Sequence, residues 1–445
     1  MRAWCLAAFA LHACGAEESL VEHRYAAIID AGTMGSRIYV FRWVPARGII
    51  YPDIQGSFGI APGVASFALS PDRAAASLDP LLEYAQRALK HVQDQWSIIP
   101  IYLRATGGMR LLTADEREGV LSSIRGRLRQ CPFLFEDEFA MVATGEERGV
   151  YSWLSANKLM GTLHSEERLT ASNSFGALDL GGASVQIVFI PKKSVMAHAF
   201  PLVLGHHNLR VYSASFLHFG YEEAAQRVAS IIIADALLEV QSVIELYHPC
   251  FSVGYTWHPR FGYDGNRSFP IDVGMSGSSD FHSCENLLRR IFEKDADCLM
   301  PTCSFYGVYQ PHTYNNKFIA FHQFAKIAEF LALPQTGSIN DLRIAAEYVC
   351  SLSYDQLNIV FETVPEDDRV TLCLHAAYMW VLLTYGFGFP KDTRNIEFRR
   401  RLSGGHVVDY VLGAMIYELN QNTWLRMAGN VSALKEARGA NLMEF

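Results

Sequence analysis

Two stretches of the chain share one pattern of apolar and polar positions. Residues 26–41 read AAIIDAGTMGSRIYVF and residues 176–189 read GALDLGGASVQIVF. Each is an apolar run ending in Asp-x-Gly, then small residues, then a polar residue and a second apolar run. That order predicts a buried strand, a tight glycine turn and a returning strand, a β-hairpin. The aspartate sits at the strand end and faces whatever the turn encloses. Between the two echoes, SPDRAAASLDPLLEYAQRALKHV places Leu78, Leu81, Leu82, Ala85 and Leu89 at helical spacing, predicting one amphipathic helix. IPIYLRATGGMRLL predicts a strand over residues 99–103, a turn at Thr106-Gly107-Gly108 and a helix. EDEFAMVATGEERGVYSWLSANKLMG predicts a strand followed by a helix.

The chemistry of the echo lies in its turns. Gly32 and Gly35 in one, Gly181 and Gly182 in the other, let backbone N–H groups point inward, and such nests bind phosphate oxygens. The two aspartates, Asp30 and Asp179, are 149 residues apart (179 − 30), which suggests a duplicated domain. Facing turns would clamp one phosphate chain in a cleft. Two aspartates pointing into it would hold a divalent cation, directly or through water. The simpler alternative is two unrelated hairpins with structural glycines.

Composition narrows the setting. The 445 residues are 50% hydrophobic and 19% charged, enough for two or three domains with full cores. A net charge of −8 with no basic run argues against nucleic acid as a partner. The opening MRAWCLAAFALHACGA has one positive charge, a short apolar run and small residues, the anatomy of a signal peptide cleaved near Ala16. No second long apolar stretch appears, so no stable membrane anchor is expected, and the mature chain belongs in the secretory-pathway lumen or outside the cell. Of nine cysteines, Cys5 and Cys14 leave with the signal and Cys131 stands alone. The remaining six allow fifteen pairings, sequential pairing being the simplest in an oxidising compartment. Closing the loop from Cys250 to Cys284 would contribute about 3 to 4 kcal/mol. Two sequons, at Asn266 and Asn430, fit glycosylation there. A Walker A loop, an HExxH zinc site and a GxSxG elbow are absent.

Taken in order, DAGTMGSR (30–37), ATGGMR (105–110), GEERGVYSW (145–153) and LDLGGASVQ (178–186) resemble the signatures of the apyrases. These are the nucleoside triphosphate diphosphohydrolases of the actin-like superfamily. The resemblance covers nearly the whole mature chain. It implies an α/β fold of two actin-like (ribonuclease H-like) lobes with a nucleotide cleft between them. Lobe I would take residues 17–146 plus a segment from about 405 to 445, and lobe II residues 147–404. It implies hydrolysis of terminal phosphates of nucleoside tri- or diphosphates by direct water attack, with Ca²⁺ or Mg²⁺ as cofactor. Asp30 and Asp179 would hold the metal through its water shell. Gly32, Thr33, Met34, Gly35, Thr106, Gly181, Gly182 and Ala183 would bind phosphate, and Ser184 and Gln186 would position water. The disulfides implied are Cys250–Cys284, Cys298–Cys303 and Cys350–Cys373, with His218 standing where a further family bridge has its first cysteine.

One departure from the pattern changes the chemistry. The family's GxEEG segment carries its general base immediately before the final glycine, and here that residue is Arg148. An arginine stays protonated and cannot take a proton from water. Its neighbour Glu147 could serve only if the helix start were rewound, since adjacent helical residues diverge by roughly 100°. The spacing Thr144-x-x-Glu147 also reads as a capping box. Lys326 stands where relatives carry an aromatic that stacks on the base, leaving Phe324 or Arg369 as candidates for base contact. His206 and His207 read as surface residues. Three functions follow: an active nucleotidase, with Glu146, Glu147, or the metal and phosphate themselves assuming the base role; a nucleotide-binding pseudo-apyrase; and, least favoured, an actin-like sugar kinase.

Overall fold

In a computed structural model the chain is described over residues 23–46, 48–164, 167–239, 246–259, 273–313, 316–400 and 409–421. The proposed signal segment, with Cys5 and Cys14, and both sequons, Asn266 and Asn430, lie outside these residues. The first sheet is built from β1 (Arg24–Ala31), β2 (Ser36–Trp43), β3 (Asp53–Ile60), β4 (Ile101–Ala105) and β5 (Ala140–Val142) in the order β3-β2-β1-β4-β5. The expected hairpin is β1–β2, with Asp30 opposite Arg37 and Ala31 opposite Ser36. Strands β4 and β5 then add in parallel on the other side of β1.

The second sheet repeats that arrangement. Its strands are β6 (Phe175–Leu180), β7 (Ser184–Phe189), β8 (Ala199–Leu204), β9 (His207–Leu217), β13 (Lys317–His322) and β14 (Ile396–Phe398). A small separate sheet holds β10 (Leu246–His248), β11 (Thr256–Trp257) and β12 (Met275–Gly277). The six-stranded order is β14-β13-β6-β7-β9-β8. Hairpin β6–β7 matches β1–β2, β9 is antiparallel to β7 as β3 is to β2, and β13 and β14 run parallel beyond β6 as β4 and β5 do beyond β1. Only β8 is extra. The sequence echo is thus the visible part of a repeated sheet topology.

Helices fill three layers. Helices α1 (Pro71–Ser77), α2 (Asp79–Ala88), α3 (Gly107–Arg110) and α4 (Ala114–Leu128) belong with the first sheet. Helix α5 (Gly145–Leu159) links the sheets. Helices α6 (Tyr221–Glu239), α7 (Phe281–Arg290), α8 (Gln323–Phe330), α9 (Ile339–Ser351), α10 (Tyr354–Val360), α11 (Glu366–Val370) and α12 (Leu372–Val381) accompany the second sheet, and α13 (Val411–Gln421) ends the described chain. Alternation along β1 divides its side chains between two cores. Ala27 and Ile29 pack with Leu78, Leu81, Leu82 and Ile124 on the outer face. Ala26 and Ile28 face inward to a core shared with Val150 and Trp153 of α5, Val188 of the second sheet, and Met415 and Leu419 of α13. Helices α5 and α13 therefore occupy the space between the sheets.

The single helix expected over SPDRAAASLDPLLEYAQRALKHV is two. Pro80 has no N–H to donate back to the preceding turn; α1 ends at Ser77 and α2 restarts at Asp79 with the proline in its first turn. The apolar stripe still reads as one helix because both pieces present it to the same core. Helix α13 lies chiefly on α5, where a Cβ at Gly413 would come 1.8 Å from the Tyr151 carbonyl oxygen, so only glycine permits the approach. The three sequential disulfides are present, Cys250–Cys284, Cys298–Cys303 and Cys350–Cys373, and Cys131 is free. Among the described residues, no helix is long and apolar enough to cross a membrane.

Candidate active site

The two hairpin turns face each other across a cavity of about 290 Å³. Asp30, Gly32, Thr33, Met34 and Gly35 line one side, Leu180, Gly181 and Gly182 the other, with Arg148, Tyr221, His322, Gln323, Lys326 and Arg400 around them. The approach is close. A Cβ placed on Gly182 would lie 3.3 Å from the Thr33 Cβ, and one on Gly107 would lie 3.3 Å from the Ser184 Oγ and 3.6 Å from the Thr33 Oγ1. Thr106 precedes α3, donates its N–H to the Ala31 carbonyl at 3.2 Å, and has a buried hydroxyl with no partner. Ala183 is buried with its Cβ toward Gly107. Met34 is exposed at the lip.

Ser184 and Gln186 begin β7, two residues apart and so on one face of the strand. The Ser184 Oγ accepts from Arg110 Nη2 at 2.9 Å and from Gln186 Nε2 at 2.8 Å, which leaves its own proton to donate. Gln186 Nε2 also donates to Ser215 Oγ at 2.8 Å, while its Oε1 is buried and without a partner. An orphaned buried acceptor is rare in a folded protein and marks a place for a water or ligand. Arg110, contributed by the first-sheet side, was not singled out from the ATGGMR motif. It bridges to Ser184 and Ser215 of the second sheet, and burial brings its guanidinium down to about 10.

Arg148 does not stand free in the cavity. Helix α5 starts with the expected capping box: the Glu147 N–H donates to Thr144 Oγ1 at 3.1 Å, and the Glu147 carboxylate accepts from the Thr144 N–H at 2.8 Å. Glu147 is therefore directed back along its own helix and is not among the residues lining the cavity. The same cap fixes where Arg148 emerges, one position later and roughly 100° round the helix, on its buried side. Its Nε donates to Asp179 Oδ2 at 3.0 Å and its Nη2 to Asp179 Oδ1 at 3.2 Å, a two-pronged pair. Its guanidinium also lies 5.0 Å from the centre of the Tyr410 ring. Ser152, four residues on and so on the same helix face, donates to Oδ2 at 2.8 Å. His322 Nδ1 sits 2.6 Å from Oδ1. His322 holds φ at 48°, a strained conformation for a residue with a Cβ, at the junction of β13 and α8.

Burial works against the charge of Asp179, yet the Arg148 guanidinium and His322 beside it hold its carboxyl below the usual range. Burial likewise opposes charge on Arg148, and Asp179 more than offsets it. Asp30 behaves differently. Burial pushes its carboxyl up to about 6, against a hydrogen bond from the Tyr410 hydroxyl and the attraction of Arg148. Glu222, behind Gly182, is raised to about 7 by burial.

These contacts bear on the expected cation. A carboxylate has about four acceptor positions, and on Asp179 all four are engaged, by Arg148 twice, Ser152 and His322. No water of a metal's hydration shell finds a vacant acceptor there, and Asp30 alone makes a poor cage. Among the described residues no group of three or more His, Cys, Asp or Glu side chains is arranged to hold a metal ion. The residues as they stand do not fit a divalent cation.

The base-contact candidates need correcting. Phe324 is fully buried in the core of the second sheet, since β13 turns into α8 with that face inward. Arg369 Nη1 is directed to backbone carbonyls, reaching that of Val364 at 3.2 Å. Lys326 does line the cavity and pairs with Asp368 at 2.6 Å. His207, expected at the surface, is buried, whereas His206 is exposed.

Comparison with known proteins follows the same line. A profile of the GDA1/CD39 (nucleoside phosphatase) family matches residues 17–435. The chain is 28% identical over 408 residues to a protein named probable apyrase 3 of Arabidopsis thaliana, covering 89% of this chain and 82% of that one. It is 28% identical over 431 residues to the guanosine-diphosphatase of Schizosaccharomyces pombe, covering 90% and 75%. Among solved structures, a nucleoside triphosphate hydrolase of Neospora caninum superposes with a TM-score of 0.66 at 16% identity, over 91% of this chain and 93% of that one, a likeness of fold.

Proposed function

The chain belongs to the GDA1/CD39 (nucleoside phosphatase) family, and from that premise we propose that it hydrolyses the terminal phosphate of nucleoside tri- or diphosphates by direct attack of water. One observation carries the reading. Two glycine turns of matching topology enclose a single cavity, and beside it the buried acceptor Gln186 Oε1 and hydroxyl Thr106 Oγ1 lack partners. Backbone N–H groups of the two turns surround the terminal phosphate, as such nests do. The Ser184 hydroxyl, already accepting two hydrogen bonds, donates its proton outward, and Gln186 Oε1 accepts from the attacking water and orients it. With Glu147 committed to its cap, the water's proton passes to a phosphate oxygen. Phosphoryl transfer tolerates this because its transition state asks mostly for positioning and charge neutralisation. Arg110, drawn to the same serine, neutralises charge on the transferring group.

Within this reading residues 17–146 with the segment from about 405 form one lobe and 147–404 the other, and the disulfides support an address in the secretory pathway. The testing experiment measures phosphate release from ATP, ADP, GDP and UDP, with Ca²⁺, Mg²⁺ or neither. Asp179→Ala serves as the control. Release by the wild type, and loss by at least about 100-fold in the control, is the expected result. Absence of both release and nucleotide binding would sink the proposal. The Arg148–Asp179 pair favours a second reading, a protein that binds nucleotide without cutting it; tight binding with turnover only in Arg148→Glu is its signature.

A further inference from the structure

We infer that Arg148 stands in for the divalent cation, so that the cleft takes the polyphosphate of a nucleoside di- or triphosphate without a metal ion. The inference rests on the reading of the cleft as a nucleotide site. The family is divalent-metal dependent, and the chain departs from it at one residue whose charge is opposite to the carboxylate it replaces. Three observations place that charge where a cation's would act.

First, the guanidinium takes two of the four acceptor positions of Asp179, and Ser152 and His322 take the rest. The carboxylate that would order a hydrated ion is saturated by side chains instead. Second, the guanidinium lies directly beneath the phosphate turn: a Cβ on Gly181 would come 3.0 Å from Nη2 and 3.3 Å from Nη1. Nη1 makes no hydrogen bond among the described residues, so a planar donor edge is left toward the loop that cradles phosphate. Arginine presents its donors in a fixed fork matched to phosphate oxygens and cannot lose its proton there. Third, the charges balance. Asp30 and Asp179 face Arg148, with Arg110 nearby on Ser184 at 2.9 Å, while Lys326 and Arg400 at the cavity wall are paired elsewhere, with Asp368 and Glu329. With glutamate at 148, three carboxylates would stand together with Arg110 and His322 as their nearest cationic partners, an excess of negative charge that a cation would offset.

The guanidinium does not reproduce everything an ion does. It supplies fixed positive charge and two-point hydrogen bonding, and it lowers no water's pKa. Cation-free recognition of phosphate is therefore the claim, and turnover is not required for it.

The test titrates a non-hydrolysable β,γ-imido nucleoside triphosphate into wild type, Arg148→Glu and Arg148→Gln, each in excess EDTA and again in excess Mg²⁺ or Ca²⁺. The wild-type dissociation constant is expected to change less than about threefold between the two conditions. Arg148→Glu is expected to weaken at least about tenfold in EDTA relative to metal, and Arg148→Gln about tenfold relative to wild type in EDTA. A parallel titration of nucleotide-free protein with Mn²⁺ is expected to find no saturable site in wild type and one in Arg148→Glu. A tenfold loss of wild-type binding in EDTA, or a saturable Mn²⁺ site in wild type, overturns the inference while leaving the nucleotide reading standing. Failure of wild type to bind nucleotide in either condition overturns both. The wild-type arms decide the matter even where Arg148→Glu does not fold.

Discussion

Replacing Arg148 with methionine keeps the bulk of the side chain and deletes its charge. Asp179 is fully buried and Arg148 nearly so, hence water in the cavity compensates the carboxylate poorly once the guanidinium is gone. The carboxylate keeps Ser152 and His322 and loses two charged hydrogen bonds. Breaking one partner out of a buried pair typically costs about 3 to 5 kcal/mol, because the other charge is left uncompensated. The His322 ring at 2.6 Å recovers part of this, so a loss of about 3 kcal/mol is expected near neutral pH. The diagnostic is the double variant. Adding Asp179→Asn to Arg148→Met removes the orphaned charge and should restore about 2 kcal/mol, a coupling of the size neighbouring residues show. Urea denaturation followed by tryptophan fluorescence reads both, since Trp153 is buried on the same helix between the sheets. A loss below about 1 kcal/mol in Arg148→Met, or a double variant no more stable than the single, would show that the pair is not the buried, mutually dependent unit described.

Other expectations follow from neighbouring residues. Asp30 titrates near 6 in the folded chain because of burial, against an unfolded value of 3.8; its folded form holds the proton more tightly, so the native state loses stability as pH rises from about 4 to 6. Asp30→Asn should abolish that slope and be more stable than wild type by about 2 to 3 kcal/mol above pH 6; denaturation midpoints across that range check it, and an unchanged slope would contradict it. Gly181→Ala inserts a methyl 3.0 Å from Arg148 Nη2, and phosphate release is expected to fall at least about tenfold while the melting temperature moves little. Removing the Cys350–Cys373 bridge with Cys350→Ser should cost about 3 kcal/mol for a loop of 23 residues, read as a lower denaturation midpoint in non-reducing buffer. Thr144→Ala removes the cap on α5 and should cost about 1 kcal/mol, with a loss of nucleotide binding if the cap aims Arg148 as described.

Much of the site is legible in the sequence wherever the signal is local. Asp-x-Gly between apolar runs specifies a strand and its turn within a dozen residues, so both hairpins and both glycine turns can be read directly. The α5 cap is equally local, because Thr144 and Glu147 satisfy each other. Ser152 was within reach: it follows Arg148 by four residues on a helix already expected. What joins distant segments leaves no such mark. His322 reaches Asp179 because β13 pairs with β6, and Tyr410 reaches Asp30 and Arg110 reaches Ser184 because distant segments close on one another; nothing in their own neighbourhoods shows it. Phe324 illustrates the opposite error, since an aromatic beside a cleft motif looks the same whether it faces the ligand or the core. The break between α1 and α2 was signalled by Pro80, but an uninterrupted apolar stripe concealed it.

The placement of the disulfides has a consequence for how the molecule is made. All five strands of the first sheet are complete by Val142, and every bridged cysteine lies from Cys250 onward. A chain emerging in order can assemble that sheet with no oxidant, its lone Cys131 half-buried and its thiol raised by burial out of easy exchange. The outer layer of the second sheet must instead wait, because Cys284, Cys350 and Cys373 sit on α7, α9 and α12, which cover that face. Biosynthesis is thus divided in time: the strands that carry both turns can pair without oxidant, whereas the helical layer over the second sheet is locked only at the pace of thiol chemistry, seconds or slower. A cell that withholds oxidant would accumulate a molecule whose two facing turns precede every bridge, but whose helical layer behind the second turn stays unlocked.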